Sequence, residues 1–322
     1  MSQEKKRTQK LLTKAFPRTE EGLANLLHVQ LYFKYIKLYI WHMRDGLNRF
    51  LPEPIDNIRP EGEKYDEVNE MVQAVVNHTG ARGADPDTSV YHAKVLRLSD
   101  AEHIFEIEED IVDLGELPKN IIPYEHARTI LIENPDNIAV IDCVCRTLRG
   151  ENGCHPRQVC ILVGNPWVDW ASEHCPEVHP RRISQKEAIQ ILHDCHERGD
   201  VHAAFFKDAA NGRMYHICNC CSCCCTALVA QNFLGSPMYA GTGHKASIDQ
   251  EKCVSCGDCV KNCNFVAISQ SGDGKCVVDT SLCMGCEACA SLCPSGAISL
   301  ELEDGEKLAP MDLKELIKAS KE

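Results

Sequence analysis

CVSCGDCVKNCNFVAIS (residues 253–269) and CMGCEACASLCPSGAIS (residues 283–299) are two copies of one unit, offset by 30 residues. Cys253, Cys256, Cys259 and Cys263 stand as C-x2-C-x2-C-x3-C, and Cys283, Cys286, Cys289 and Cys293 repeat that spacing, with Pro294 after the last. The match extends outward, with Asp249 over Asp279 and Ala267-Ile268-Ser269 over Ala297-Ile298-Ser299. Two-residue gaps let three thiolates from a tight loop cap three irons of one cubane. The fourth cysteine, pushed out by an extra residue, points at the other cubane. A zinc site more often binds two separated pairs of thiolates than a triplet and a distal fourth.

This run resembles the bacterial-type ferredoxin domain that holds two [4Fe–4S] clusters. The resemblance implies a ligand swap, in which Cys253, Cys256, Cys259 and Cys293 hold one cluster and Cys283, Cys286, Cys289 and Cys263 hold the other. It also implies one-electron chemistry. One position departs from the pattern: Asn264 stands where the family usually has the proline found here as Pro294.

Eight of 21 cysteines are thus assigned, and ten of the rest crowd the middle of the chain. They are Cys143, Cys145, Cys154 and Cys160, followed by Cys218, Cys220, Cys221, Cys223, Cys224 and Cys225 in the run CNCCSCCC. Free thiols at that density would oxidise or chelate, and thiolate-only ligation in such number suits iron–sulfur clusters better than zinc. One or two additional clusters are expected here. Two arrangements fit: Cys143, Cys145, Cys154 and Cys160 supply one site and the later run another, or the two blocks meet around one larger cluster. Over roughly residues 121–300 the chain resembles ferredoxin-domain proteins in which a C-x-C-R and CNCC-x-CCC block precedes a two-cluster module. The isolated Cys175, Cys195 and Cys276 read as small core hydrophobes. Of the seven histidines between 155 and 216, His155 beside Cys154 and His216 two residues before Cys218 are the best placed to touch a site. Trp167 and Trp170 read either as packing or as a shield for a cluster. Arg146, Arg181 and Arg182 are candidate partners for an anion.

Composition bounds the rest. The chain is 44% apolar, enough for packed cores, with a net charge of −13. Residues 1–50 carry +6 and the remainder −19, and an acidic body of that size repels phosphate backbones. No nucleic-acid partner is expected, and no apolar run reaches the roughly 18 residues of a membrane span. The N-terminal stretch is too polar for an export signal, so thiols kept reduced in the cytoplasm are expected.

The expected fold class is α+β, with residues 1–120 a mostly helical region carrying a basic arm. Within it, TEEGLANLLHVQLYFKYIKLYIWHMRDGLNRF (residues 19–50) reads as one long helix capped by Thr19 and stopped by Pro52. Its apolar side suits a buried core helix, with peripheral membrane contact as the alternative. Residues 121–242 form the cysteine-rich middle domain. A helix is expected at about 124–133, followed by the strand NIAVIDCVCR. Ser184 and Glu187 form a capping box for a helix ended by Gly199, and a hairpin turning at Asn211-Gly212 follows. Helix then hairpin sketches a winged-helix-like segment. Residues 243–308 are the ferredoxin domain, and residues 309–322 a C-terminal helix.

The function expected is electron transfer between the two C-terminal clusters and the middle site, as a subunit or adaptor serving a redox protein partner. The alternative is a reductase whose middle cluster keeps an open iron for a small substrate or disulfide. A redox-sensing regulator is a third reading, opposed by the acidic body and by the lack of a basic recognition helix. No dinucleotide fingerprint or P-loop is present.

Overall fold

The computed structural model describes residues 19–82, 91–111, 114, 117–124, 130, 132–207, 210, 212–303 and 307–321. The basic arm before residue 19 and most of the helix expected at 124–133 lie outside them. In chain order the helices and strands are α1 (Glu20–Lys34), α2 (Ile36–Asn48), α3 (Glu63–Asp66), α4 (Asn69–Arg82), β1 (Tyr91–Val95), α5 (Leu98–Phe105), β2 (Glu133–Asp142), α6 (Val144–Thr147), β3 (Gln158–Asn165), α7 (Trp167–His174), β4 (Arg181–Ile183) and α8 (Gln185–Glu197). Then come β5 (Val201–Lys207), β6 (Arg213–Cys220), α9 (Thr226–Leu234), β7 (Tyr239–Ala240), β8 (His244–Ile248), α10 (Asp258–Asn262), β9 (Ile268–Gln270), β10 (Cys276–Val278), α11 (Ala288–Ser291), β11 (Ile298–Leu302) and α12 (Leu313–Ser320).

Seven strands form one sheet in the order β4-β2-β3-β6-β5-β1-β7, antiparallel throughout except where β1 meets β7. Successive side chains on a strand face opposite sides, and the core divides accordingly. Ala139, Ile141, Cys160, Leu162, Val201, Ala203, Phe205 and Tyr215 join α1, α2 and α7 in one apolar cluster. Their neighbours Ile138, Val140, Ile161, Val163, Ala204, Phe206 and Ile217 join α5, α8 and α12 in a second. The sheet is therefore buried on both faces, which is why its strands are continuously apolar instead of alternating with polar residues.

Three expectations change on this frame. The long helix at 19–50 is two helices, interrupted at Tyr35, whose φ and ψ of −128° and 37° leave the helical region. Its apolar side, with Val29, Tyr32, Ile36 and Leu38, is packed into the core of the sheet and not turned toward a membrane surface. The expected strand at 137 begins earlier, at Glu133, so the end of the expected helix at 124–133 is extended chain; Ile132 already bridges to Ile111.

The helix–hairpin pair is present: Ser184 Oγ accepts from Glu187 N at 3.2 Å, and Gly199 and Gly212 have positive φ. Asn211 lies outside the described residues. The hairpin is no exposed wing, because β5 and β6 sit inside the sheet with β1 and β3 on their outer sides. Nor does the core break at residue 120, since β1 comes from the earlier part of the chain and pairs with β5 and β7.

The repeat builds a smaller unit. β8 pairs with β11 and β9 with β10, so each strand of the first copy pairs with a strand of the second. The two copies interlace. After them, α12 is capped by Asp312, which accepts from Lys314 N and Glu315 N, and its Leu313 is buried in the second core cluster.

Trp167 is 1% exposed and stacks on Phe33 at 5.6 Å, with Tyr215 edge-on at 6.1 Å. It carries the packing of α1 on the sheet and lines none of the cysteine cavities. Trp167→Ala should cost roughly 3–5 kcal/mol in unfolding free energy, read from anaerobic denaturant titration against the parent protein.

Candidate metal centre

Strand geometry gathers the first sulfurs. His216, Cys218 and Cys220 lie two apart on β6 and share its face, and the β3–β6 register that sets Ile161 opposite Ile217 sets Cys160 opposite Cys218. Their Sγ atoms are 3.7 Å apart. At the end of β2, Cys143 N donates to Arg157 O at 2.7 Å, which turns Cys143 and Cys145 toward the same face. After β6 the chain makes a single turn, Cys225 N donating to Cys221 O at 2.9 Å, and Cys225 comes back beside Cys220.

The result is a closed ring of six thiols, Cys143–Cys145–Cys225–Cys220–Cys218–Cys160 and back to Cys143, each interacting with both neighbours, with Cys160 and Cys218 within hydrogen-bond distance. The neighbouring thiols push Cys143 and Cys225 up, while burial, aided by its neighbours, pushes up Cys218. The same interactions hold Cys145 and Cys160 well below the ordinary thiol range and Cys220 down at about 6. The ring surrounds a cavity of about 70 Å³ that also reaches Cys221 and Cys224, against about 20 and 10 Å³ for the two cavities of the ferredoxin unit.

The walls are mostly apolar, but two guanidinium groups flank them. Arg44 is fully buried and donates to Thr226 Oγ1, Asp56 O, Cys145 O at 3.0 Å and Cys224 O at 2.6 Å. Among the described residues it meets no carboxylate. A buried cation needs counter-charge, and here the nearest source is sulfur. Arg146, expected from sequence, is paired with Asp200 at 2.9 Å beside Cys221. Arg181 and Arg182 lie away from the cavity, bridged to Glu187 and Asp169. Of the histidines, His216 Nε2 is 2.8 Å from Cys218 Sγ, and burial lowers its pKa to about 4, so it is neutral. His155 is exposed.

The ten middle cysteines therefore divide by neither expected scheme. Six form the ring. Cys154, Cys221, Cys223 and Cys224 form a second group whose Sγ atoms all lie within 4.8 Å of one another. Each sequence block contributes to both groups. Cys175 and Cys195 are buried singly, whereas Cys276, buried in the ferredoxin unit, contacts Cys253 and Cys259.

In that unit one cavity is lined by Cys253, Cys256, Cys259 and Cys293 and the other by Cys263, Cys283, Cys286 and Cys289. Backbone N–H groups of Ala267 and Ala297 point at Cys263 and Cys293 Sγ at 3.2 and 3.3 Å, repeating one sulfur-stabilising contact in both copies. Amide donors of this kind fit thiolates carrying cluster charge.

Asn264 joins the two regions. Its Oδ1 accepts from Ser222 N at 2.7 Å, its Nδ2 donates to Gly199 O at 2.8 Å, and its carbonyl accepts from Asn232 Nδ2 at 2.8 Å. A proline here could make neither side-chain bond, which explains the departure from the repeat. Next to it, Phe265 lines the Cys263 cavity and packs edge-on against Tyr239 at 5.7 Å. The Tyr239 hydroxyl lies 3.3 Å from Cys225 Sγ and 3.7 Å from Cys220 Sγ. Two aromatic rings span the space between a ferredoxin cavity and the six-thiol ring.

Residues 246–300 match the model of the 4Fe-4S dicluster domain family. The pyruvate synthase subunit PorD of Methanocaldococcus jannaschii is 37% identical over 57 residues, 18% of this chain and 66% of that protein. PorD of Methanothermobacter marburgensis is 34% identical over 59 residues, 18% of this chain and 68% of that protein. The indolepyruvate oxidoreductase subunit IorA of Methanothermobacter marburgensis is 37% identical over 59 residues, 18% of this chain but 9% of IorA.

Asn264→Ala leaves the buried Gly199 carbonyl and the half-buried Ser222 N–H without their partner. The expected loss is about 1–4 kcal/mol, since a buried unsatisfied group costs about 1–3 kcal/mol and a half-buried one less. Denaturant titration measures it, and unchanged stability would remove Asn264 as the tie between the two regions.

Proposed function

We propose, for a chain that belongs through residues 246–300 to the family of 4Fe-4S dicluster domains, that it is a fixed iron–sulfur relay. Electrons pass one at a time between the ferredoxin unit and a further cluster held by the six-thiol ring. Cys253, Cys256, Cys259 and Cys293 hold one [4Fe–4S] cluster. Cys263, Cys283, Cys286 and Cys289 hold the second, nearer the ring. Fully thiolate-bound clusters exchange electrons and do no acid–base chemistry, with potentials set by burial and hydrogen bonds to sulfur.

The observation that carries this reading is the contact chain from the Cys263 cavity through Phe265 and Tyr239 to Cys220 and Cys225. Six thiols around a cavity larger than either ferredoxin cavity support a cluster larger than one cubane. Arg44 supplies positive charge beside it, and Tyr32, Phe33 and Ile36 close the wall and keep water out. Of the polar side chains that line the cavity, Arg146, Asn219 and Thr226 are bonded to other protein groups and His216 to Cys218, which favours transfer over reduction of a small molecule at an open iron. The oxidoreductase subunits among the similar proteins support a redox protein as partner, and the cytoplasm as the compartment suits reduced thiols. Among the described residues no helix is long and apolar enough to cross a membrane.

Protein purified without oxygen should hold clearly more than the roughly eight irons of two cubanes, with matching sulfide. Replacing Cys145 and Cys220 together by serine should bring the count down to about eight and leave the EPR spectrum of the two cubanes in place. A parent protein with only eight would sink the middle cluster.

Arg44→Met removes the buried charge while keeping the side chain's length. The middle iron should fall by at least half while the two cubanes stay loaded, as read by the same iron and EPR measurements.

A further inference from the structure

We infer that Cys154, Cys221, Cys223 and Cys224 form a separate site for one divalent metal ion, zinc or ferrous iron, bound by four thiolates with no inorganic sulfide. The inference uses different thiols from the ring and does not require the ring to hold a cluster.

Distance separates the two kinds of site. Four sulfurs about 2.3 Å from one ion at tetrahedral angles lie about 3.8 Å from each other. In a cubane each thiolate binds a different iron, so the four stand further apart. Cys154 Sγ and Cys223 Sγ are 3.1 Å apart, Cys223 Sγ and Cys224 Sγ 3.6 Å, and all four fall within 4.8 Å. Among the described residues this is the one group of His, Cys, Asp or Glu so tightly drawn together. The two ferredoxin quartets in the same molecule do not meet that distance, although they are spaced for cubanes.

The surroundings are built for it. Cys154 N donates to Cys224 Sγ at 3.5 Å, an amide bond to a ligand sulfur. Gly153 lets Cys154 approach, since a Cβ there would stand 2.1 Å from Arg146 O. Arg146, although paired with Asp200, lies beside Cys221 and would offset part of the −2 that four thiolates and a divalent ion would carry. The group runs from buried Cys224 to exposed Cys223, and its four thiolates alone complete the tetrahedral set of a structural site. Cys220 and Cys225, the ring members flanking this turn, are held at a fixed separation by an ion bound to Cys221, Cys223 and Cys224. The ion would thus shape one edge of the ring and anchor Ser222 opposite Asn264.

The test compares the full chain with its Cys154→Ser/Cys223→Ser double variant, both purified without oxygen or chelator, by metal and sulfide analysis. The parent should carry a single zinc, or a single iron without sulfide, that the variant lacks. For zinc, X-ray absorption at its edge should show a four-sulfur shell and no neighbouring metal. Loss of about four irons with matching sulfide would mean a cubane, and an unchanged metal content would mean no site. Either result overturns the inference. Exchange of cobalt(II) into the parent protein guards against misfolding of the variant. Tetrahedral sulfur-ligand bands in the visible spectrum support the site, and their absence overturns it.

Discussion

Sulfur gathered around a buried cavity is the constraint on which the middle of this molecule turns. Six thiols facing one another in a ring cannot all ionise, and each thiolate that forms must borrow a proton donor or a cation from its surroundings. The thiols of the ring accordingly perturb one another's proton affinity. Arg44 makes sense only beside it. A guanidinium that meets no carboxylate among the described residues, bonded to two cysteine carbonyls, would burden a protein whose cavity stayed neutral. Helix α2 brings that charge in, and so the N-terminal helices belong to the site as much as the cysteines do.

Local rules made part of this legible in the sequence. The C-x2-C-x2-C-x3-C spacing is set by how one loop meets a cluster, so the eight ferredoxin cysteines can be picked out without a fold. The capping box at Ser184 is equally local. The six-and-four division of the middle cysteines is different, because it comes from the β3–β6 register and from one turn after β6, neither of which a linear spacing encodes. A partial signal was there: His216, Cys218 and Cys220 alternate as residues on one face of a strand do. Arg44 had no such signal, since its apolar neighbours on α2 suit any packed helix. β1 went unread because five residues at a sheet position next to an edge carry little pattern of their own.

Asn264 shows how a departure from a repeat can be informative. The second copy keeps Pro294 at the matching position, where it lines the cavity of Cys253, Cys256, Cys259 and Cys293. The first copy gives up that proline for a side chain that bonds both the turn carrying Cys221, Cys223 and Cys224 and the end of the loop after α8. The ferredoxin unit is thereby set against the sheet beside the aromatic pair Phe265 and Tyr239.

Lys94, buried on β1, donates to Gly241 O at 2.6 Å and to Ala309 O at 2.7 Å. Those two carbonyls mark where the chain enters and leaves the ferredoxin unit, and only residues 241–243 separate β7 from β8. One side chain thus clips both crossings, leaving the unit little slack with which to swing away from the sheet. The face it keeps turned outward bears Cys256 and Val254, the latter 65% exposed.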